Sequence, residues 1–104
     1  MKNEVILGSE IKLNVNIKPI NNGEFHAADY AFECQFYTSK NTITLSREQM
    51  IYMDPDNYIA TIDTKLLGVG EIKVKIIAQI PDDDFDDRLR TEITRINTGI
   101  NIIK

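Results

Sequence analysis

The segment Ile11 to Ile17 reads I-K-L-N-V-N-I, with Ile11, Leu13, Val15 and Ile17 at every second position and Lys12, Asn14 and Asn16 between them. Successive side chains of an extended chain point to opposite faces, so this alternation makes one apolar face and one polar face. A helix would scatter the same four residues around its circumference. The longest run of this kind follows Glu71: Ile72, Val74, Ile76, Ala78 and Ile80 alternate with Lys73, Lys75 and Gln79, and only Ile77 departs from the pattern. Both runs predict half-buried strands. A chain with several such strands must stack their oily faces on one another.

The remaining segments extend the pattern. Phe32, Cys34 and Phe36 share one face of Asp29 to Thr38, Ile43 and Leu45 one face of a short strand from Thr42, and Tyr58, Ala60 and Ile62 one face of the next. Ser46-Arg47-Glu48-Gln49 has capping-box spacing and predicts a single helical turn that carries Met50 onto the core. Turn residues punctuate the chain at Pro19 with Asn21-Asn22-Gly23, at Lys40-Asn41, at Asp54-Pro55-Asp56-Asn57 and at Pro81 to Asp87. Gly68-Val69-Gly70 reads as a hairpin. Arg88 to Ile96 is extended, Asn97-Thr98-Gly99 marks a break or bulge, and Ile100 to Ile103 makes a terminal strand. About seven strands with turns every 8–12 residues predict an all-β fold, an antiparallel β-sandwich of immunoglobulin-like type. Roughly 28% of the chain is Ile, Val or Thr, whose Cβ branching fits a pleated surface. With 104 residues and no internal repeat or linker, residues 1–104 are expected to form a single domain.

Charge and composition exclude several roles. Twelve Lys and Arg against 16 Asp and Glu give a net charge of −4, with no basic run to meet a phosphate backbone, so no nucleic acid is expected as partner. Apolar Val5 to Leu7 is followed at once by Gly8, Ser9 and Glu10, too short for a signal-peptide core, and no run reaches the length of a membrane span. Synthesis in a reducing cytosol is the expectation. A lone Cys34 allows no internal disulfide, so stability must come from packing.

Few residues offer chemistry. His26 is the only histidine, and with one thiol the chain cannot assemble a His-rich or Cys-rich zinc site. A His26–Cys34 nucleophile pair would need both groups in a cleft, whereas Cys34 lies between two inward aromatics and reads as a small core hydrophobe. The loop P-D-D-D-F-D-D carries Asp82, Asp83, Asp84, Asp86 and Asp87 but lacks the spaced ligands, turn glycine and terminal Glu of a calcium loop. It reads as a solvated turn, with Arg88 and Arg90 close enough to neutralise part of its charge. Gly68-x-Gly70 precedes a strand and not a helix, so it cannot cradle phosphate. Catalytic, metal and cofactor sites are therefore expected to be absent. Val69, Ile77, Phe85 and Leu89 are apolar where the pattern calls for polar residues, and with Arg88 and Arg90 they form the candidate partner interface.

The segments GSEIKLNVNIKPI and DYAFECQFYT, and the stretch from Asp56 through Ile103, resemble a family of small virion proteins of crAss-like tailed phages infecting gut Bacteroidales. The last stretch is the most specific. The resemblance implies a β-sandwich subunit of head-fibre or capsid-decorating type, located in the virion after synthesis in the host cytoplasm. Its implied partners are other copies of itself and other shell proteins. At Asp86-Asp87-Arg88 the chain departs from the family, which has a tighter, glycine-containing turn there. The competing expectation is a bacterial immunoglobulin-like surface or carbohydrate-binding module, against which the absence of Trp and of an export signal weighs.

Overall fold

The computed structural model describes residues 3–17 and 27–104. Eight strands follow one another: β1 (Asn3–Ile6), β2 (Glu10–Asn16), β3 (Ala31–Tyr37), β4 (Thr42–Ser46), β5 (Ile51–Asp54), β6 (Asn57–Asp63), β7 (Gly70–Pro81) and β8 (Leu89–Ile103). They form a five-stranded sheet in the order β1-β8-β7-β3-β4 and a three-stranded sheet in the order β2-β6-β5. The central trio β3, β7 and β8 faces the trio β2, β6 and β5, which is the immunoglobulin-like arrangement of a C-F-G sheet against B-E-D. Every pairing is antiparallel except that of β1 with β8, where Asn3 to Ile6 run parallel to Ile100 to Ile103. The larger sheet is thus mixed at one edge.

Alternation in the sequence becomes burial in the structure. Ile72, Val74, Ile76, Ala78 and Ile80 of β7 are all buried, as are Phe32, Cys34 and Phe36 of β3 and Tyr58, Ala60 and Ile62 of β6. Leu13, Val15 and Ile17 close the interior from β2 and the residue after it, and Ile11, Ile43 and Leu45 pack on its margin. Burying each large aliphatic or aromatic side chain contributes about 1.5–3 kcal/mol, so this cluster dominates the stability of the chain. Phe32 meets Tyr30 and Tyr58 edge to face, the geometry aromatic quadrupoles favour. The turn at Arg47–Gln49 forms as the sequence predicts: the Ser46 N–H donates to Gln49 Oε1 at 2.9 Å, and Met50 beyond it is buried.

One connection differs from the sequence reading. Gly68-Val69-Gly70 is not a hairpin, because β6 and β7 belong to different sheets. A 3-10 turn at Thr64–Leu66 and fully buried Leu67 carry the chain across the sandwich, and Asp63 caps the turn by accepting from the Lys65 N–H. At Asn97 to Gly99 the chain takes the bulge and not the break, so the strand expected from Ile100 is the end of β8. Asn101 pairs with Glu71 and Asn97 with Lys73, so β8 holds two more residues than β7 over this interval. The extra residues bulge out, with Gly99 at φ 77°, while Thr98 Oγ1 donates to the Ile72 carbonyl and accepts from the Ile100 N–H. β1 and β5 were not anticipated. The turn expected at Pro19 to Gly23 lies outside the described residues.

Candidate interaction surface

Of the two residues with catalytic potential, the structure describes only the cysteine. Cys34 is fully buried, and desolvation, followed by the nearby Glu33 charge, pushes its thiol up to about 12. A thiol held that far above neutral pH stays protonated there. His26, its conceivable partner, lies outside the described residues. In the acidic loop, Asp82 turns its carboxylate to Arg90, and Arg90 also holds Glu92 at 2.9 Å. The N–H of Asp84 and this guanidinium together hold the Asp82 carboxyl below its usual range. Asp87 caps the Leu89 N–H at 3.0 Å, and Arg88 takes the left-handed conformation that closes the loop, its N–H donating to the Phe85 carbonyl. The Asp82 and Asp87 carboxylates thus serve the turn and its arginine. Among the described residues no three acidic, His or Cys groups converge as metal ligands.

Besides a hollow of about 320 Å³ bordered by Glu33, Glu48 and Ile77, two cavities among the described residues flank the inner side of the sandwich. The smaller, about 50 Å³, is bordered by Tyr30, Glu92 and Thr94. The Tyr30 hydroxyl is buried without a hydrogen-bond partner, and burial, then the charges of Glu92, Asp56 and Asp29, raise it to about 12. The larger, about 430 Å³, is a cleft between the edge of β2 and the inner face of β8, bordered by Leu13, Val15, Phe36, Val74, Ile96 and Ile100. Its polar lining is three asparagines and Thr98, with no acid, base or thiol to activate a substrate.

The predicted interface residues do not form one patch. Val69 sits at the cross-sheet connection before β7, while Phe85 and Leu89 lie past its other end, a whole strand away. Arg88 belongs to the loop, and Arg90 faces the inner side opposite Ile80, engaged by Asp82 and Glu92. Ile77 faces outward mid-strand, half-buried, directly opposite Ile93 of β8. Ile93 was missed by the sequence reading, as was Ile96; both are exposed, Ile93 by 53%. Pro81 and Leu89 pair on the same outer face, so apolar surface recurs along the β7–β8 ribbon. A second exposed set, Ile51, Tyr52 and Met53, lies on edge strand β5.

Comparison of the chain with protein-family models, with curated proteins and with solved structures finds no match. No helix among the described residues is long and apolar enough to cross a membrane.

Proposed function

We propose that this chain is a non-enzymatic structural subunit of a phage virion, a head-fibre or capsid-associated component that self-associates and docks on other shell proteins. One observation carries the reading: among the described residues the thiol is sealed and Asp82 is engaged, whereas a strand edge without a neighbour and apolar outer residues are left at the surface. Cys34 is enclosed and Asp82 is committed to Arg90, but Ile93 and Leu89 face out along the longest ribbon of the fold. The resemblance of Asp56 to Ile103, which covers β6, β7 and β8, supplies the virion context. In this reading the protein needs no cofactor, nucleic acid or membrane.

An electron-microscopy reconstruction of the intact particle tests the proposal. Density on the shell that fits this eight-stranded sandwich supports it, and a particle lacking the chain overturns it.

The alternative is a bacterial immunoglobulin-like surface or carbohydrate-binding module, favoured by a fold common among cell-surface domains. Sugar platforms need exposed ring faces. Tyr52, the exposed ring on β5, is met edge to face by Tyr58 at 5.7 Å, and Phe85 lies in the loop between β7 and β8. Tight binding to one member of a polysaccharide panel would favour this alternative over the virion subunit.

A further inference from the structure

β8 is paired on one side along its whole length and on the other only at its end. β7 accompanies it from Leu89 to Ile102, while β1 meets it only at Ile100 to Ile103. Among the described residues no strand lies beyond β8 between Arg90 and Asn97.

The hydrogen bonds fix which groups face this open side. The Asp82 N–H donates to the Arg88 carbonyl, closing the ribbon with a bonded pair. Bonded and non-bonded pairs alternate in an antiparallel ladder, so Ile80–Arg90 and Ala78–Glu92 are bonded across it while Gln79–Thr91 and Ile77–Ile93 are not. Thr91, Ile93, Arg95 and Asn97 therefore aim their N–H and C=O groups away from β7. Leu89 points the same way, and Asp87 caps its N–H. The open edge is a row of backbone donors and acceptors that an extended segment can satisfy.

We propose that a second copy of this chain supplies that segment, β8 pairing antiparallel with β8 of its partner about a two-fold axis at Ile93. This rests on the self-association in the reading above and names the surface that performs it. Side chains facing each other across an antiparallel pair lie on one face, so only axes centred on a residue keep outer residues with outer ones. An axis at Glu92 sets two carboxylates opposite each other, and one at Arg95 sets two guanidinium groups opposite each other. An axis at Thr94 puts Ile93 against Arg95 and runs Leu89 into the bulge at Gly99. With the axis at Ile93, Ile93 meets its own copy, Thr91 meets Arg95, and Glu92 meets Thr94. Ile77, Ile93 and their copies then make an apolar row across a continuous sheet, and no like charges are opposed; an axis at Thr91 also opposes none but pairs only Leu89 to Ile93, leaving Arg95 and Asn97 unmet. Pairing ends with Leu89 against Asn97, short of Ile100 where β1 begins. A two-fold contact of this kind is isologous and closed, so it yields a dimer and not an open fibre.

The test uses the full chain with two variants, each checked for folding by circular dichroism. Ile93→Lys places two ammonium groups face to face on the axis and is expected to weaken dimerisation at least tenfold. Ile93→Cys is expected to give a covalent dimer with a short bifunctional thiol cross-linker, because bonded pairs hold Cα atoms about 5.5 Å apart, within its reach. Cys34, being enclosed, gives no such product in the parent chain. A dimer that survives Ile93→Lys undiminished and never cross-links through Ile93→Cys overturns this surface while leaving self-association intact. A parent chain that stays monomeric at high concentration overturns both.

Discussion

Thr38 and Leu67 join the two halves of the fold: Thr38 Oγ1, at the end of β3, donates a 2.6 Å hydrogen bond to the carbonyl of Leu67 in the cross-sheet connection. The same hydroxyl accepts from the Lys40 N–H. Thr64 does a matching job one turn earlier, donating to the Ser9 carbonyl and accepting from the Gly8 N–H. These are the two buried threonines among the described residues, and both hydroxyls are satisfied, unlike that of Tyr30. They replace the ladder that a connection between sheets lacks.

Thr38→Val keeps the shape and removes the donor, leaving the buried Leu67 carbonyl unmet. The expected loss is about 1–3 kcal/mol. Urea unfolding measures it, and Thr38→Ser should recover most of the difference because it keeps the hydroxyl.

The glycines of the connection and the bulge separate strain from crowding. Gly68 sits at φ 82° with Lys40 Cβ 3.0 Å from where a methyl would stand, whereas Gly99 at φ 77° has open space. Gly99→Ala is expected to cost about 1 kcal/mol, the penalty of a left-handed residue. Gly68→Ala should cost more, and equal losses in thermal unfolding would show that Lys40 does not crowd the site.

Alkaline pH probes the interior. The Cys34 thiol and the Tyr30 hydroxyl are both raised to about 12 in the folded chain from ordinary values of 9.0 and 10.0. The unfolded chain therefore loses these protons first, and the stability they secure is complete below pH 9 and is lost as pH rises through 12. Unfolding at a series of pH values should show this decline, and Cys34→Ala should make it shallower. A thiol reagent at pH 8 should leave the native chain unmodified and react once it is unfolded.

Acid pH probes the loop. The Asp82 carboxyl is lowered by the Asp84 N–H and then by Arg90, so its contribution is present above the unfolded value of 3.8 and fades as pH falls through the lowered one. Asp82→Asn should remove that dependence from the acid limb of the stability curve, whereas Asp83→Asn, a change at an exposed position, should not.

The sandwich was legible wherever alternation runs long enough to define a face. β2, β3, β6 and β7 place inward the residues that the pattern picks out, and Ser46 with Gln49 marks its turn correctly. β1 and β5 escaped because each is only four residues long and carries no alternation: Ile51, Tyr52 and Met53 are consecutive apolar residues and all are exposed. A glycine pair reads alike whether the chain reverses within a sheet or crosses between sheets, so the role of Gly68 depended on which strands pair. The surface was less legible still. Ile93 lies in an E-I-T-R context that reads as ordinary alternation, and only the register with Ile77 and the lack, among the described residues, of a second strand beside this part of β8 single it out.

Light scattering of the full chain after size exclusion, over about a hundredfold range of concentration, tests most directly whether this protein acts by association. The account predicts a mass that climbs from the 11.9 kDa of one chain toward that of a pair as concentration rises. A mass fixed at one chain throughout would contradict it.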